Sequence, residues 1–225
     1  MLSSKIEIVP SILSADFRCI EYEVKAVTEA GANRIHCDVM DGHFVPNLTF
    51  GTLIIEAVKK STNLPLDVHL MIANPEKYID DYCRAGANFL MIHAETCNDL
   101  GSTLEKMRSH GVKIGVAVNP DKPVDLFTDY LEKIDQVLIM TVFAGFGGQK
   151  FIPATMDKVR TIAEKASLLN RTIDIEVDGG INDKTIIDAV SNGANVFVTG
   201  SYVYGADDYK ARINTLRKAA EKAVS

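Results

Sequence analysis

Short apolar or β-branched runs recur along the chain at residues 6–9, 34–39, 65–70, 89–93, 113–118, 136–141, 172–177 and 196–199, and each reads as a strand. Between them, apolar residues return at three- and four-residue spacing. That period predicts helices over 20–30, 53–60, 75–85, 100–110, 124–131, 154–169, 184–191 and 209–223. Gly31, Gly86, Gly111 and Gly193 each follow a periodic stretch, where a left-handed residue ends a helix. Pro75 and Pro153 stand where a first helical turn accepts proline. Strict strand–helix alternation implies a parallel sheet covered by helices. Eight such units in 225 residues imply one closed (β/α)8 TIM barrel forming a single domain over 1–225. An open doubly wound sheet is the alternative, but its G-x-G-x-x-G turn after the first strand is missing. Pro10-Ser11-Ile12-Leu13-Ser14 stands there instead.

Charge narrows the partners. The formal net charge is −6, with no lysine-rich stretch, so the basic footprint that nucleic acid demands is absent. An anionic ligand must then be held by local backbone amides. No apolar run approaches the roughly 18 residues of a membrane span. Met1-Leu2-Ser3-Ser4-Lys5 does not open a signal peptide. Cys19, Cys37, Cys83 and Cys97 are scattered without a C-x-x-C pair, as fits reduced thiols and a cytoplasmic protein.

In barrels of this kind chemistry sits at the C-terminal strand ends. Side chains two apart share a face of a strand. His36, Asp38 and Met40 therefore point one way in strand 2, and His69 and Met71 point one way in strand 3. Asp178 closes strand 7. Two imidazoles and two carboxylates converging on one mouth can hold a divalent ion, and the mixed N/O donor set suits zinc, iron, manganese or cobalt. Taken singly, a strand histidine is more often a packed core residue and a strand-end aspartate a helix cap; the coincidence of four carries the reading. His43, His93 and His110 are given that plainer role, with His93 at the end of strand 4 kept as a minor candidate. Gly145, Gly147 and Gly148 flank Phe146 after strand 6, Gly179 and Gly180 follow strand 7, and Gly200-Ser201 follows strand 8. Amides of such loops form the usual phosphate site of the fold. Met40, Met71 and Met140 end strands at the same mouth, either as soft core filler or as an apolar floor beneath metal and substrate.

The run Pro10-Ser11-Ile12-Leu13-Ser14-Ala15-Asp16-Phe17 and the long stretch from His36-Cys37-Asp38-Val39-Met40-Asp41-Gly42-His43 to Phe50-Gly51 resemble the ribulose-phosphate 3-epimerase family. Asp67-Val68-His69-Leu70-Met71, Met140-Thr141-Val142, Gly145-Phe146-Gly147-Gly148-Gln149, Val177-Asp178-Gly179-Gly180-Ile181 and Gly200-Ser201 extend the resemblance to the last strand. It implies an isomerase of the pentose phosphate pathway that interconverts D-ribulose 5-phosphate and D-xylulose 5-phosphate at C3. One divalent metal ion per subunit would be held by His36, Asp38, His69 and Asp178, with Asp38 and Asp178 also the acid/base pair. Ser11 and His69 would meet the substrate. Gly145, Phe146, Gly147, Gly148, Gly179, Gly180, Gly200 and Ser201 would hold its phosphate end. A homo-oligomer is expected. The chain departs from the family pattern at Phe143-Ala144, where Asn-Pro is usual; losing the proline frees φ and restores an N–H, which predicts a more mobile start to the phosphate loop.

Other phosphate-binding barrels fit less well. Schiff-base aldolases need a lysine at a strand's C-terminal end, whereas Lys5 and Lys113 begin their strands. Decarboxylase and hexulose-phosphate synthase relatives carry Asp-x-Lys-x-x-Asp on strand 3; here Asp67 is followed by Val68 and His69, with Ile72 in the last place. An epimerase for allulose 6-phosphate would share the metal site. A scaffold barrel without activity would lack a ligand, and none is missing.

Overall fold

The structure, a computed structural model, describes residues 5–169 and 171–224. Met1–Ser4, on which the expectation of no signal peptide mainly rests, lie outside the described residues. Eight parallel strands form one sheet: β1 (Glu7–Pro10), β2 (Ile35–Met40), β3 (Leu66–Met71), β4 (Phe89–His93), β5 (Lys113–Val118), β6 (Gln136–Met140), β7 (Asp174–Asp178) and β8 (Val196–Thr199). Each pairs with its sequence neighbour, and β8 returns to β1. Between β1 and β2 a single parallel bridge, Ser11 to His36, completes the circle. The molecule is a (β/α)8 barrel.

Eight α-helices are found among the described residues: α1 (Ile20–Glu29), α2 (Thr52–Ser61), α3 (Ile79–Ala85), α4 (Leu100–Ser109), α5 (Met156–Leu168), α6 (Thr185–Ser191), α7 (Ser201–Tyr204) and α8 (Tyr209–Val224). Their apolar stripes cover the outward faces of the strands, for example Val24 and Val27 of α1, Ile55 and Val58 of α2, and Ile213 and Leu216 of α8. Asp99 caps α4 by accepting the Ser102 N–H at 3.1 Å. Gly31, Gly86, Gly111 and Gly193 all take the expected left-handed conformation.

Residues 124–131 depart from expectation, forming two 3-10 stretches, Val124–Leu126 and Thr128–Lys133. Phe127 between them sits at φ −136°, outside helical space, with its side chain fully buried. Val124, Phe127 and Tyr130 repeat every third residue, a spacing that serves a 3-10 turn as well as an α-helix. The short α7 was not anticipated.

Alternation along the strands divides the molecule into two environments. Ile35, Cys37 and Val39 face the helices, while His36, Asp38 and Met40 face the barrel axis. Register places His36 beside Asp67, Asp38 beside His69, Met40 beside Met71 and Met140 beside Asp178. At the N-terminal end of the barrel, Arg34 is buried. It donates to Glu7 Oε2 and Asp174 Oδ2, both at 2.5 Å, and to the side-chain amide oxygen of Gln136, and it lies over the Phe89 ring. Gln136 donates in turn to Glu176 Oε2 at 2.5 Å and to Asp67 at 3.3 Å. This polar plug supports the layer that holds the site.

Candidate active site

His36, Asp38, His69 and Asp178 come together at the C-terminal side of that plug. Each offers one donor atom, and the four atoms lie within 4.8 Å of one another. Asp38 Oδ1 is the hub, 3.2 Å from both His36 Nε2 and His69 Nδ1. Ser11 donates to the other oxygen of Asp38 at 2.5 Å and accepts the Leu13 N–H at 3.2 Å. Thr141 fixes the end of β7, its backbone N–H donating to the Asp178 carbonyl at 2.7 Å and its hydroxyl to the Gly179 carbonyl at 2.6 Å.

The electrostatics separate the two carboxylates. Burial alone would raise Asp38, but His36 and His69 hold it far below the usual carboxylate range. Asp178 feels His36 too, but more weakly than it feels burial and the charge of Asp38. Burial, and after it the charge of Asp38, pushes it up to about 7. Burial pushes His69 down to about 4, leaving a neutral imidazole. Burial would lower His36 as well, but Asp38, Asp67 and Glu176 raise it well above the usual imidazole range. Its Nδ1 lies 3.6 Å from Glu176 Oε1, and neither atom has a hydrogen-bond partner among the described residues.

Above these groups opens a cavity of about 400 Å³. Ser11, Asp38, Asp178, Met40, Met71, Met140, Gly145, Phe146, Gly147, Gly148, Gly179, Gly180, Gly200 and Ser201 all line it, so residues chosen from strand ends and glycine loops meet in one place. His36 and His69 lie beneath it, fully buried. The methionines stand one inward-facing position nearer the mouth than Asp38 and His69, or level with Asp178. All three line the cavity.

The glycine loops are built for backbone approach. Gly180 has φ +66°, and a Cβ there would stand 2.5 Å from the Phe151 nitrogen; Gly179, at φ +122°, would strike Val142. Phe143-Ala144 does not leave the loop start untethered. The N–H of Ala144, which a proline would lack, donates to Asn119 Oδ1 at 3.0 Å. Gln149 donates to the carbonyls of Phe143 and Phe146 at 2.7 and 2.8 Å, and Asn47 to that of Gly145 at 2.8 Å.

The remaining histidines divide. His43 is an exposed turn residue bonded to the Asp41 carbonyl, and His110 meets Asp80 on the surface. His93 is fully buried, 2.9 Å from His69 and 3.1 Å from Glu95. Glu95 and Asn119 went unread in the sequence. The signal was available: His93-x-Glu95, running out of the end of β4, repeats the spacing of His36-x-Asp38 within β2. Cys19, Cys37, Cys83 and Cys97 are free thiols. No helix among the described residues is long and apolar enough to cross a membrane.

Comparison with known proteins adds to this geometry. The ribulose-phosphate 3 epimerase family matches the chain over residues 7–204. The ribulose-phosphate 3-epimerase of Bacillus subtilis (strain 168) is 48% identical over 213 residues, covering 94% of this chain and 98% of its own length. That of Aquifex aeolicus (strain VF5) is 41% identical over 218 residues, covering 97% and 98%. Among solved structures, 3-keto-L-gulonate-6-phosphate decarboxylase from Vibrio cholerae superposes with a TM-score of 0.74 at 15% identity, covering 97% of this chain and 99% of that one. The 3-hexulose-6-phosphate synthase from Salmonella typhimurium gives 0.71 at 17% identity, covering 97% and 100%. At that identity these two speak for the fold alone.

Proposed function

The chain belongs to the ribulose-phosphate 3-epimerase family and is a carbohydrate-phosphate epimerase; from that premise we propose that it interconverts D-ribulose 5-phosphate and D-xylulose 5-phosphate through a metal-dependent proton transfer at C3. The observation that carries this reading is the convergence of His36, Asp38, His69 and Asp178 at the base of a cavity walled by three glycine loops. The donor set fits a divalent ion: two imidazoles and two carboxylates aim their donor atoms at a common space, and mixed N/O ligation suits zinc, iron, manganese or cobalt. When bound there, the ion supplies Lewis-acid stabilisation of negative charge developing on the substrate oxygens.

The residues of the chain do the rest. The C3 proton is acidified by the adjacent C2 carbonyl, and its removal gives an enediolate. Inversion requires removal from one face and return to the other. Asp38 and Asp178 project from β2 and β7, well apart around the barrel, and their environments shift them in opposite directions, Asp38 down and Asp178 up. One ionised and one protonated carboxylate is the pair that such a reaction needs. The hydroxyl of Ser11, which lines the cavity, is placed to meet the substrate while it holds the Asp38 carboxylate, and His69 serves as a ligand beneath the cavity. Gly145, Phe146, Gly147, Gly148, Gly179, Gly180, Gly200 and Ser201 offer amides to the phosphate, consistent with a chain that has no general positive field. The wall of Met40, Met71 and Met140 excludes water. A cytoplasmic setting belongs to the same reading, supported by the free thiols, as does a homo-oligomer, for which the exposed Leu48 and Leu53 offer apolar surface.

Exhaustive chelation is expected to abolish activity while leaving the fold intact, since the barrel core does not depend on the ion. Rates on ribulose 5-phosphate and allulose 6-phosphate, before chelation and after restoring each metal, test both dependence and substrate. Full activity in demonstrably metal-free protein would contradict the proposal, and a preference for the hexulose phosphate would reassign the substrate.

Gly180→Ala tests the phosphate loops separately. A side chain at φ +66° against the Phe151 backbone forces the turn open. KM is expected to rise about tenfold or more with a smaller change in kcat, as for lost binding at a non-reacting group. An unchanged KM in steady-state assays would remove Gly180 from the phosphate site.

A further inference from the structure

His69 has both ring nitrogens engaged inside the barrel. Its Nδ1 faces Asp38 Oδ1 at 3.2 Å, towards the other ligands, and its Nε2 lies 2.9 Å from Nε2 of His93. The two rings are fully buried and stacked, with an interplanar angle of 22°. Nδ1 of His93 lies 3.1 Å from Glu95 Oε1. That same oxygen accepts the backbone N–H of Asn119 at 3.1 Å and its side-chain amide at 2.9 Å. Asn119 Oδ1 then accepts the N–H of Ala144, at the start of the loop after β6. The end of β5 is itself anchored, because Lys158 donates to the carbonyls of Asn119, Pro120 and Lys122.

The protons along this chain can be placed in one way. A nitrogen that gives its lone pair to a cation carries no proton, so with His69 Nδ1 among the ligand atoms its proton sits on Nε2. Nε2 then donates to the lone pair of His93 Nε2. The proton of His93 must sit on Nδ1, where it donates to Glu95, an acceptor. Reversing either ring would set two N–H groups, or two lone pairs, against each other in a dry interior.

We propose that His93 and Glu95 are positioning residues that fix the tautomer and ring orientation of His69, and that Asn119 joins this relay to the phosphate loop at Ala144. The inference rests on the metal site proposed above and assigns work to three residues outside it. Acceptor partners of metal-bound imidazoles typically contribute 10–100-fold in metal affinity. Here the acceptor is a second imidazole, and the carboxylate lies one ring further out. Tying the far end of the relay to Ala144 means that the loop meeting the phosphate and the ring meeting the metal share one rigid hydrogen-bonded frame.

The test reads metal binding and not turnover. Zinc affinity is measured by competition with a chromogenic chelator for the wild-type protein and for His93→Ala, Glu95→Ala and Glu95→Gln. The two alanine variants are expected to bind about 10–100-fold more weakly. Glu95→Gln keeps a carbonyl oxygen for His93 and Asn119, and should stay within a few-fold of wild type. Long-range 1H–15N spectra of the zinc-loaded wild type should show His69 protonated at Nε2 and His93 at Nδ1, a readout that survives if a variant fails to fold. Alanine variants that bind zinc as tightly as wild type would overturn the relay while leaving the metal site standing, whereas a His69 protonated at Nδ1 would overturn the relay and remove that nitrogen from the ligand set. A wild-type protein that does not bind zinc, iron, manganese or cobalt would instead overturn the metal site, and the relay with it.

Discussion

Asp38→Asn and Asp178→Asn are each expected to lower kcat at least a hundredfold. The amide keeps the size and shape of the carboxyl group, so the cavity and the barrel are preserved, but it can neither accept nor deliver the C3 proton at neutral pH. General acid–base groups are worth roughly 10²–10⁴ in rate, and in the proposed metal site both positions would also lose a strong ligand. Asp38 carries the larger burden, since it contacts His36, His69 and Ser11 at once. Its replacement should also loosen both imidazoles and reduce metal content, whereas Asp178→Asn, at the end of β7, should retain more. Rates and metal stoichiometry measured on the same preparations check both statements. Either variant keeping more than about one hundredth of wild-type activity would break the two-carboxylate scheme.

Arg34→Ala is expected to cost about 3–5 kcal/mol of stability, the usual consequence of removing one partner from a buried ionic cluster. Arg34 is the cation shared by Glu7 and Asp174, lies 4.0 Å from Asp67, and is only 4% exposed in its side chain. Deleting it leaves buried carboxylates facing one another beneath the ligand layer. A chain of this size loses about 2–4 °C of Tm per kcal/mol, so thermal unfolding should move down by roughly 10 °C or more. Arg34→Lys should recover part of that loss, because a point charge satisfies one carboxylate but cannot span the set. An unfolding midpoint for Arg34→Ala within about 2 °C of wild type would mean that the cluster contributes little net stability.

Much of this was legible in the sequence because the strands alternate so cleanly. In Ile35-His36-Cys37-Asp38-Val39-Met40, period 2 alone separates the residues that meet the helices from those that meet the axis, and the same holds for Asp67, His69 and Met71. The left-handed glycines marked four helix ends correctly. What stayed hidden depended on neighbours far away in the chain. Glu95 and Asn119 look like ordinary loop residues until β4 and β5 are laid side by side and a single carboxylate oxygen is found to collect three donors. Arg34 merely opens the second strand in the sequence. Only closure of the barrel, which brings it to Glu7 and to Asp174, 140 residues away, makes it the centre of the plug. At residues 124–131 the apolar spacing was compatible with either helix, and the structure takes the tighter one in two pieces that break at Phe127. At Ala144 the missing proline suggested mobility, while the partner of its N–H lay on another strand end.

The claim at the centre of this account is that C3 is inverted by two carboxylates acting from opposite faces, and hydrogen exchange tests it most directly. Ribulose 5-phosphate is turned over in D2O and stopped early, and product and residual substrate are examined by NMR and mass spectrometry. Both acids exchange with solvent, so xylulose 5-phosphate should carry deuterium at C3 from the first turnover, with C4 unchanged. Recovered substrate should carry far less. Retention of the substrate's own hydrogen at C3 of the product would contradict opposed roles for Asp38 and Asp178, even if both prove indispensable.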